Sequence, residues 1–133
     1  MFLLDTNVCV QYLRGKNARV RQRLAACPTH DVQLCSVVLS ELYIGALRSA
    51  NPVKNRTEVD QFAAPFFSLP FDDAAADVRS RIRHHLETQG IPIGPYDLQI
   101  AAIALTHSRT LVTHNTNEFS RVPGLSLEDW DVP

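Results

Sequence analysis

The sequence predicts an α/β protein whose parallel sheet is covered by helices on both faces. Three observations carry this. Short apolar runs of strand length alternate with stretches of helical periodicity along the chain, so successive strands must be joined by crossover connections. Phe2, Leu3 and Leu4 run straight into Asp5, which puts a carboxylate where a buried strand meets solvent. The 133 residues, 45% apolar and 20% charged, suit a single globular domain with one core.

The elements follow in order. FLLD is a first strand, and NVCVQYLRG and ARVRQRLAAC are two short helices. VQLCS is a second strand, leading into the helix VVLSELYIGALRSA with apolar residues at helical spacing. Ser36 is the expected N-cap of that helix. TEVDQFAAPFF is helical and SLPF a short strand. DDAAADVRSRIRHHLETQG is an amphipathic helix opened by Asp72 and closed by Gly90. A helix begins at Pro95 within PIGPYDLQIAAIALTH, TLVT is a strand, and LSLEDW is an edge strand.

Thirteen Lys and Arg against fourteen Asp and Glu leave a formal charge of -1, so no global field draws the chain to nucleic acid or membrane. Polyanion binding must come from local clustering. Cys9, Cys27 and Cys35 form no C-x-x-C pair and read as small apolar residues of a reducing compartment. Structural zinc lacks its paired ligands. The opening apolar run stops at Asp5 without a basic leader, and every apolar stretch is shorter than the ~18 residues of a membrane span. The expected setting is the cytoplasm, away from membrane. Phosphate-cradling glycine loops are absent. His84 and His85 are adjacent, so on a helix they point about 100° apart and make a poor catalytic pair.

Carboxylates stand where helices leave the sheet. Asp5 ends the first strand, Glu41 lies about one turn past Ser36, and Asp97 sits in the first turn of a helix whose remainder is nearly all apolar. In parallel sheets, sites form outside the carboxyl ends of the strands. Each acid alone reads as a helix cap, a dipole partner or a solvated face. Together in one cleft they would repel one another, and a hard divalent cation is the usual remedy.

These residues resemble the PIN-domain ribonucleases and, within them, the VapC toxins of toxin–antitoxin pairs. The resemblance rests on LLDTN, SELYIGA, PIGPYDLQIAAIAL, and LVTHNTNEFSRVPGL with EDW, in family order over nearly the whole chain. It implies a central five-stranded parallel sheet, a site holding Mg²⁺ or Mn²⁺, and cleavage of a structured RNA such as a tRNA or rRNA loop. Carried over by motif, Asp5, Glu41 and Asp97 form the acidic triad, with Asp5 and Asp97 as direct metal ligands and Glu41 at a second ion or a water. Thr6, Asn7, Ser40 and Thr113 are polar supports. Where many PIN domains carry a fourth acid this chain has Asn115, and two alternatives stand for that position: Glu118, three residues on, supplies the charge, or Asn115 itself orients a metal-bound water. A VapB-type antitoxin and a homodimer are the implied partners.

For RNA, Arg14, Lys16, Arg19, Arg21 and Arg23 pack into ten positions as phosphate contacts. Arg79, Arg81 and Arg83 form a second cluster, read as a solvated helix face. The competing readings are a phosphorylation-controlled receiver domain, for which the first acidic motif lacks its second acid, and a PIN module with weak catalysis that binds RNA or antitoxin.

Overall fold

The computed structural model describes residues 1–133. The chain runs β1 (Phe2–Leu4), α1 (Thr6–Arg14), α2 (Ala18–Ala26), a 3₁₀ turn (Thr29–Asp31), β2 (Val32–Cys35) and α3 (Ser36–Leu47). It continues through α4 (Pro52–Ala63), β3 (Phe67–Leu69), α5 (Asp73–Thr88), α6 (Pro95–Thr106), β4 (Thr110–Val112), α7 (Thr116–Phe119) and β5 (Leu127–Glu128). Five strands form one sheet in the order β3-β2-β1-β4-β5, every neighbouring pair parallel. All four residues of β2 are buried in succession, which requires cover on both faces of the sheet.

This order places a reversal at the centre. From β1 the chain builds outward through β2 and β3, then returns to add β4 on the other side of β1. The β1/β4 junction is therefore the switch point of the sheet, where a crevice opens beyond the strand ends. Leu3 faces Leu111 and Leu4 faces Val112 across it, so Asp5 and Thr113 leave the sheet side by side.

Sequence boundaries shift for local reasons. Cys35, not Ser36, occupies the N-cap of α3; β2 passes straight into the helix, and the Ser36 hydroxyl donates to the Leu69 carbonyl at 3.4 Å. α4 starts at Pro52, five residues before the expected Thr57, because Pro occupies the first helical turn without losing a needed N–H. It ends at Ala63, ahead of Pro65. The last strand contracts to two residues, and Trp130 turns back into the core, 2% exposed, with its ring edge-on to Phe2 at 5.3 Å. α5 is capped as expected, with Asp72 accepting from the Ala75 N–H at 3.0 Å and Gly90 in the left-handed region. No helix is long and apolar enough to cross a membrane.

Candidate active site

Asp5 is a helix cap whose carboxylate also feels Glu41. Its Oδ1 accepts from the Val8 N–H at 3.0 Å as the N-cap of α1, and the Thr113 hydroxyl bonds the same carboxylate. The side chain is nonetheless 5% exposed. Burial, with Glu41 as a lesser contributor, pushes its pKa above the usual carboxylate range against those hydrogen bonds. Thr113 is fully buried at the end of β4 and also accepts the Asn115 N–H at 3.0 Å.

Asp97 arrives from the far side, in the first turn of α6 behind Gly94 and Pro95. Its carboxyl is raised to about 6, first by desolvation and then by Glu118, Asp5 and Glu41 in turn. That order of causes means all four carboxylates share one electrostatic neighbourhood. Glu118, on α7, answers in the opposite sense: its pKa is lowered chiefly by the Gly94 N–H, which donates to Oε1 at 3.0 Å, while Asn115 Nδ2 donates to Oε2 at 2.6 Å. A side-chain hydrogen bond joins Glu118 to Asp97. Without a cation, Asp97 therefore keeps its proton most readily and Glu118 stays ionised.

Of the expected supports, Thr6 and Ser40 line a cleft of about 540 Å³ with Glu41, Arg48, Tyr96 and Gln99. The Thr6 hydroxyl oxygen is buried without a hydrogen-bond partner. Asn7 is exposed, and its backbone N–H helps hold Asp5. Asn115 spends its amide on Glu118, so these two residues form one unit rather than alternatives for one position. The expected arginine cluster is largely committed elsewhere. Arg19 donates to the Asp131 carbonyl at 3.2 Å, Arg23 pairs with Glu128 at 3.3 Å, and Arg21 lies over the Tyr12 ring at 4.9 Å. Arg14 and Lys16 are exposed and make no ion pair. In the second cluster, Arg81 and Arg83 make one-turn pairs with Asp77 and Glu87, as on a solvated face.

The donor set suits a hard divalent ion. It is all oxygen, burial and neighbouring carboxylates together raise Asp97, and the orphan Thr6 hydroxyl stands beside Glu41. No three His, Cys, Asp or Glu side chains converge tightly enough to enclose an ion alone. Mg²⁺ does not ask for that, since it retains several waters and takes one or two carboxylates.

The PIN domain family model matches residues 2–125. The chain belongs to the PIN domain family. Within the family its likeness is to VapC proteins. It is 40% identical over 131 residues to the tRNA(fMet)-specific endonuclease VapC of Shigella flexneri, covering 97% of both chains. It also superposes on a DNA-bound VapBC structure from Salmonella typhimurium with a TM-score of 0.91 at 36% identity and 97% coverage of each chain. VapBC2 of Rickettsia felis, bound to a promoter DNA fragment, gives a TM-score of 0.90 at 31% identity and 98% coverage of each. The receiver-domain reading falls with this assignment. For this PIN domain, sequence reasoning missed the Gly94 N–H as a partner of Glu118. A signal was present in PIGP, where Pro95 opens a helix behind a glycine whose N–H has no intrahelical acceptor.

Proposed function

We propose that this PIN domain is a Mg²⁺- or Mn²⁺-dependent endoribonuclease and the toxin of a VapB–VapC-type pair, cutting a structured RNA at an unpaired loop to inhibit translation. The observation that carries the reading is the gathering of Asp5, Glu41, Asp97 and Glu118, from four separate elements, at the β1/β4 switch point, with Asp97 raised to about 6 by burial first and then by the other three carboxylates. Asp5 and Asp97 are the direct ligands in this reading, and Glu41 and the Thr6 hydroxyl face the substrate side of the cleft. Glu118, held by Gly94 and Asn115, keeps the start of α6 and thus Asp97 in position. A bound divalent ion supplies charge neutralisation, a Lewis acid for the phosphodiester and acidified water for hydrolysis. The carboxylates would hold that ion and position the attacking water. The Shigella relative's name supports a tRNA substrate.

The partner reading has its own support. A groove of about 230 Å³ between α1, α3 and α4 is lined by Val10, Leu13, Leu42 and Val59 together with Arg14 and Glu41. A VapB-type antitoxin would lay an apolar segment there and extend a basic side chain to Glu41. Copurification with the product of the neighbouring gene, and loss of cleavage on coexpression, tests it. A homodimer is part of the same reading and is checked by sedimentation.

The chemistry is tested by mapping the ends of RNA fragments. Hydrolysis by water gives 5′-phosphate and 3′-hydroxyl ends, and cleavage stops in EDTA and returns with Mg²⁺ or Mn²⁺. It also persists when the 2′-hydroxyl at the scissile nucleotide is removed. A 2′,3′-cyclic phosphate would overturn the mechanism. Absence of any cleavage with either metal would favour the weakly catalytic binding module, for which Asn115 in place of an acid is the argument.

A further inference from the structure

Of the four carboxylates only Glu41 lines the 540 Å³ cleft, where it is joined by Thr6 and Tyr96, the chain neighbours of Asp5 and Asp97. Val37, Ser40, Glu41, Ile44 and Gly45 run down a single stripe of α3 that continues to its C-cap residue Arg48, since residues three, four and seven apart share a helix face. Tyr96 and Gln99 of α6 form the opposite wall. Three features of this floor have no use in the fold.

Tyr96 is 60% exposed, on a helix start made rigid by Pro95. It is absent from every aromatic pair of the protein, and its hydroxyl bonds nothing. Arg48 makes neither an ion pair nor a side-chain hydrogen bond, unlike the arginines tied to Glu128, Asp60, Asp77 and Glu87. Gly45 stands inside α3, where Ala would stabilise the helix by about 1 kcal/mol. A Cβ there would meet nothing within 4 Å. Neither crowding nor backbone conformation requires glycine at this position; what it leaves is open floor in the cleft.

We infer that this floor is a subsite for one unpaired nucleotide of the RNA beside the scissile phosphate, with the Tyr96 ring stacking on the base and Arg48 meeting a neighbouring phosphate. Tyr96 lines the same cleft as Glu41 and Thr6, so a base on its ring lies beside the Glu41 end of the site. Arg48 lies seven residues past Glu41, roughly 10 Å farther along the same helix, so a strand entering at the carboxylates runs toward a cation along α3. That cation matters because Arg19, Arg21 and Arg23 are tied down and the carboxylates themselves repel RNA. Stacking asks for an unpaired base with a free face, and Ser40 and Gln99 offer hydrogen bonds to its edge.

The inference rests on the ribonuclease reading above, and the test separates the two. A short unpaired oligoribonucleotide carrying 2-aminopurine is mixed with the full chain in Mg²⁺; its fluorescence quench on mixing and its steady-state cleavage are both followed. Tyr96→Leu should abolish the quench and raise KM roughly tenfold with kcat nearly unchanged, while Tyr96→Phe keeps both. Arg48→Gln should raise KM and flatten its salt dependence, and Gly45→Leu should raise KM by filling the floor. If wild-type protein cleaves and Tyr96→Leu matches it in KM and quench, the subsite is wrong and the nuclease reading stands. Wild-type protein that quenches the probe without ever cutting RNA overturns the nuclease reading and keeps the subsite. If Tyr96→Leu loses the quench because a dimer has fallen to monomer in sedimentation, the surface is a protein interface and the subsite is overturned.

Discussion

Asp5 answers at the residue scale why an apolar strand should end on a carboxylate. It caps α1 through one oxygen and, in the proposed nuclease, contributes charge to the metal site, and these two jobs separate by substitution. Asn is as good an N-cap as Asp, whereas Ala is not. Asp5→Asn is therefore expected to abolish most cleavage while leaving the urea midpoint near wild type; Asp5→Ala should lose cleavage and about 1 kcal/mol of stability as well. Equal midpoints for the two would remove the capping role, and wild-type cleavage by Asp5→Asn would remove the metal role. Asp97→Asn should also inactivate while relieving the crowding that raises Asp97. Glu118→Gln, which removes a charge and leaves one acceptor oxygen for the two donors Gly94 N–H and Asn115 Nδ2, should raise the Mg²⁺ concentration for half-maximal cleavage more than Asn115→Ala does. The opposite ranking would hand the supporting role to Asn115. Asp5, Glu41 and Asp97 were legible in the sequence because each sits at a junction that hydrophobic pattern and turn residues mark locally. The hydrogen bond from Gly94 to Glu118 was not, because it joins residues 24 apart by a contact that only the fold creates.

At the scale of elements, the strand–helix alternation was readable because each long element carries its own periodicity. α7 was not, since four residues are too few to show a period, and the early start of α4 hid in the polar run PVKNR. The fate of the basic segment also escaped local reading: its arginines are held by Glu128 and Asp131, over a hundred residues away. That same C-terminal segment reaches the site. β5 pairs with β4, where the Thr113 N–H donates to the Glu128 carbonyl at 3.0 Å, and Thr113 holds Asp5. Trp130 pins β5 against Phe2. Trp130→Ala should cost about 3–5 kcal/mol and reduce cleavage through Thr113, visible as a lowered urea midpoint with unchanged slope. A variant with wild-type midpoint would show that β5 is held without its anchor.

At the scale of the whole molecule, the crowded carboxylates make stability depend on pH and on cations together. Asp97 titrates near 6 in the folded chain and near 3.9 when unfolded. Between those values the folded state holds a proton that the unfolded state has released, so stability is full below about 4 and falls as pH rises through 6. Asp5, also raised, acts in the same direction. Glu118 is lowered and acts oppositely, adding stability above its unfolded value near 4.3, but its shift is the smaller. The metal-free protein should therefore melt at a lower temperature at pH 7.5 than at pH 5.5, the reverse of a fold whose acids are paired with cations. Mg²⁺ binds the ionised carboxylates of the folded state and stabilises it by mass action. It should raise the melting temperature more at pH 7.5 than at pH 5.5, and Asp97→Asn should flatten both the pH trend and the Mg²⁺ response. Thermal scans of the two proteins at both pH values, with EDTA and with Mg²⁺, decide it: a wild-type metal-free protein more stable at pH 7.5, or an Asp97→Asn protein with an undiminished Mg²⁺ shift, would mean that Asp97 is not the carboxyl on which the crowding falls.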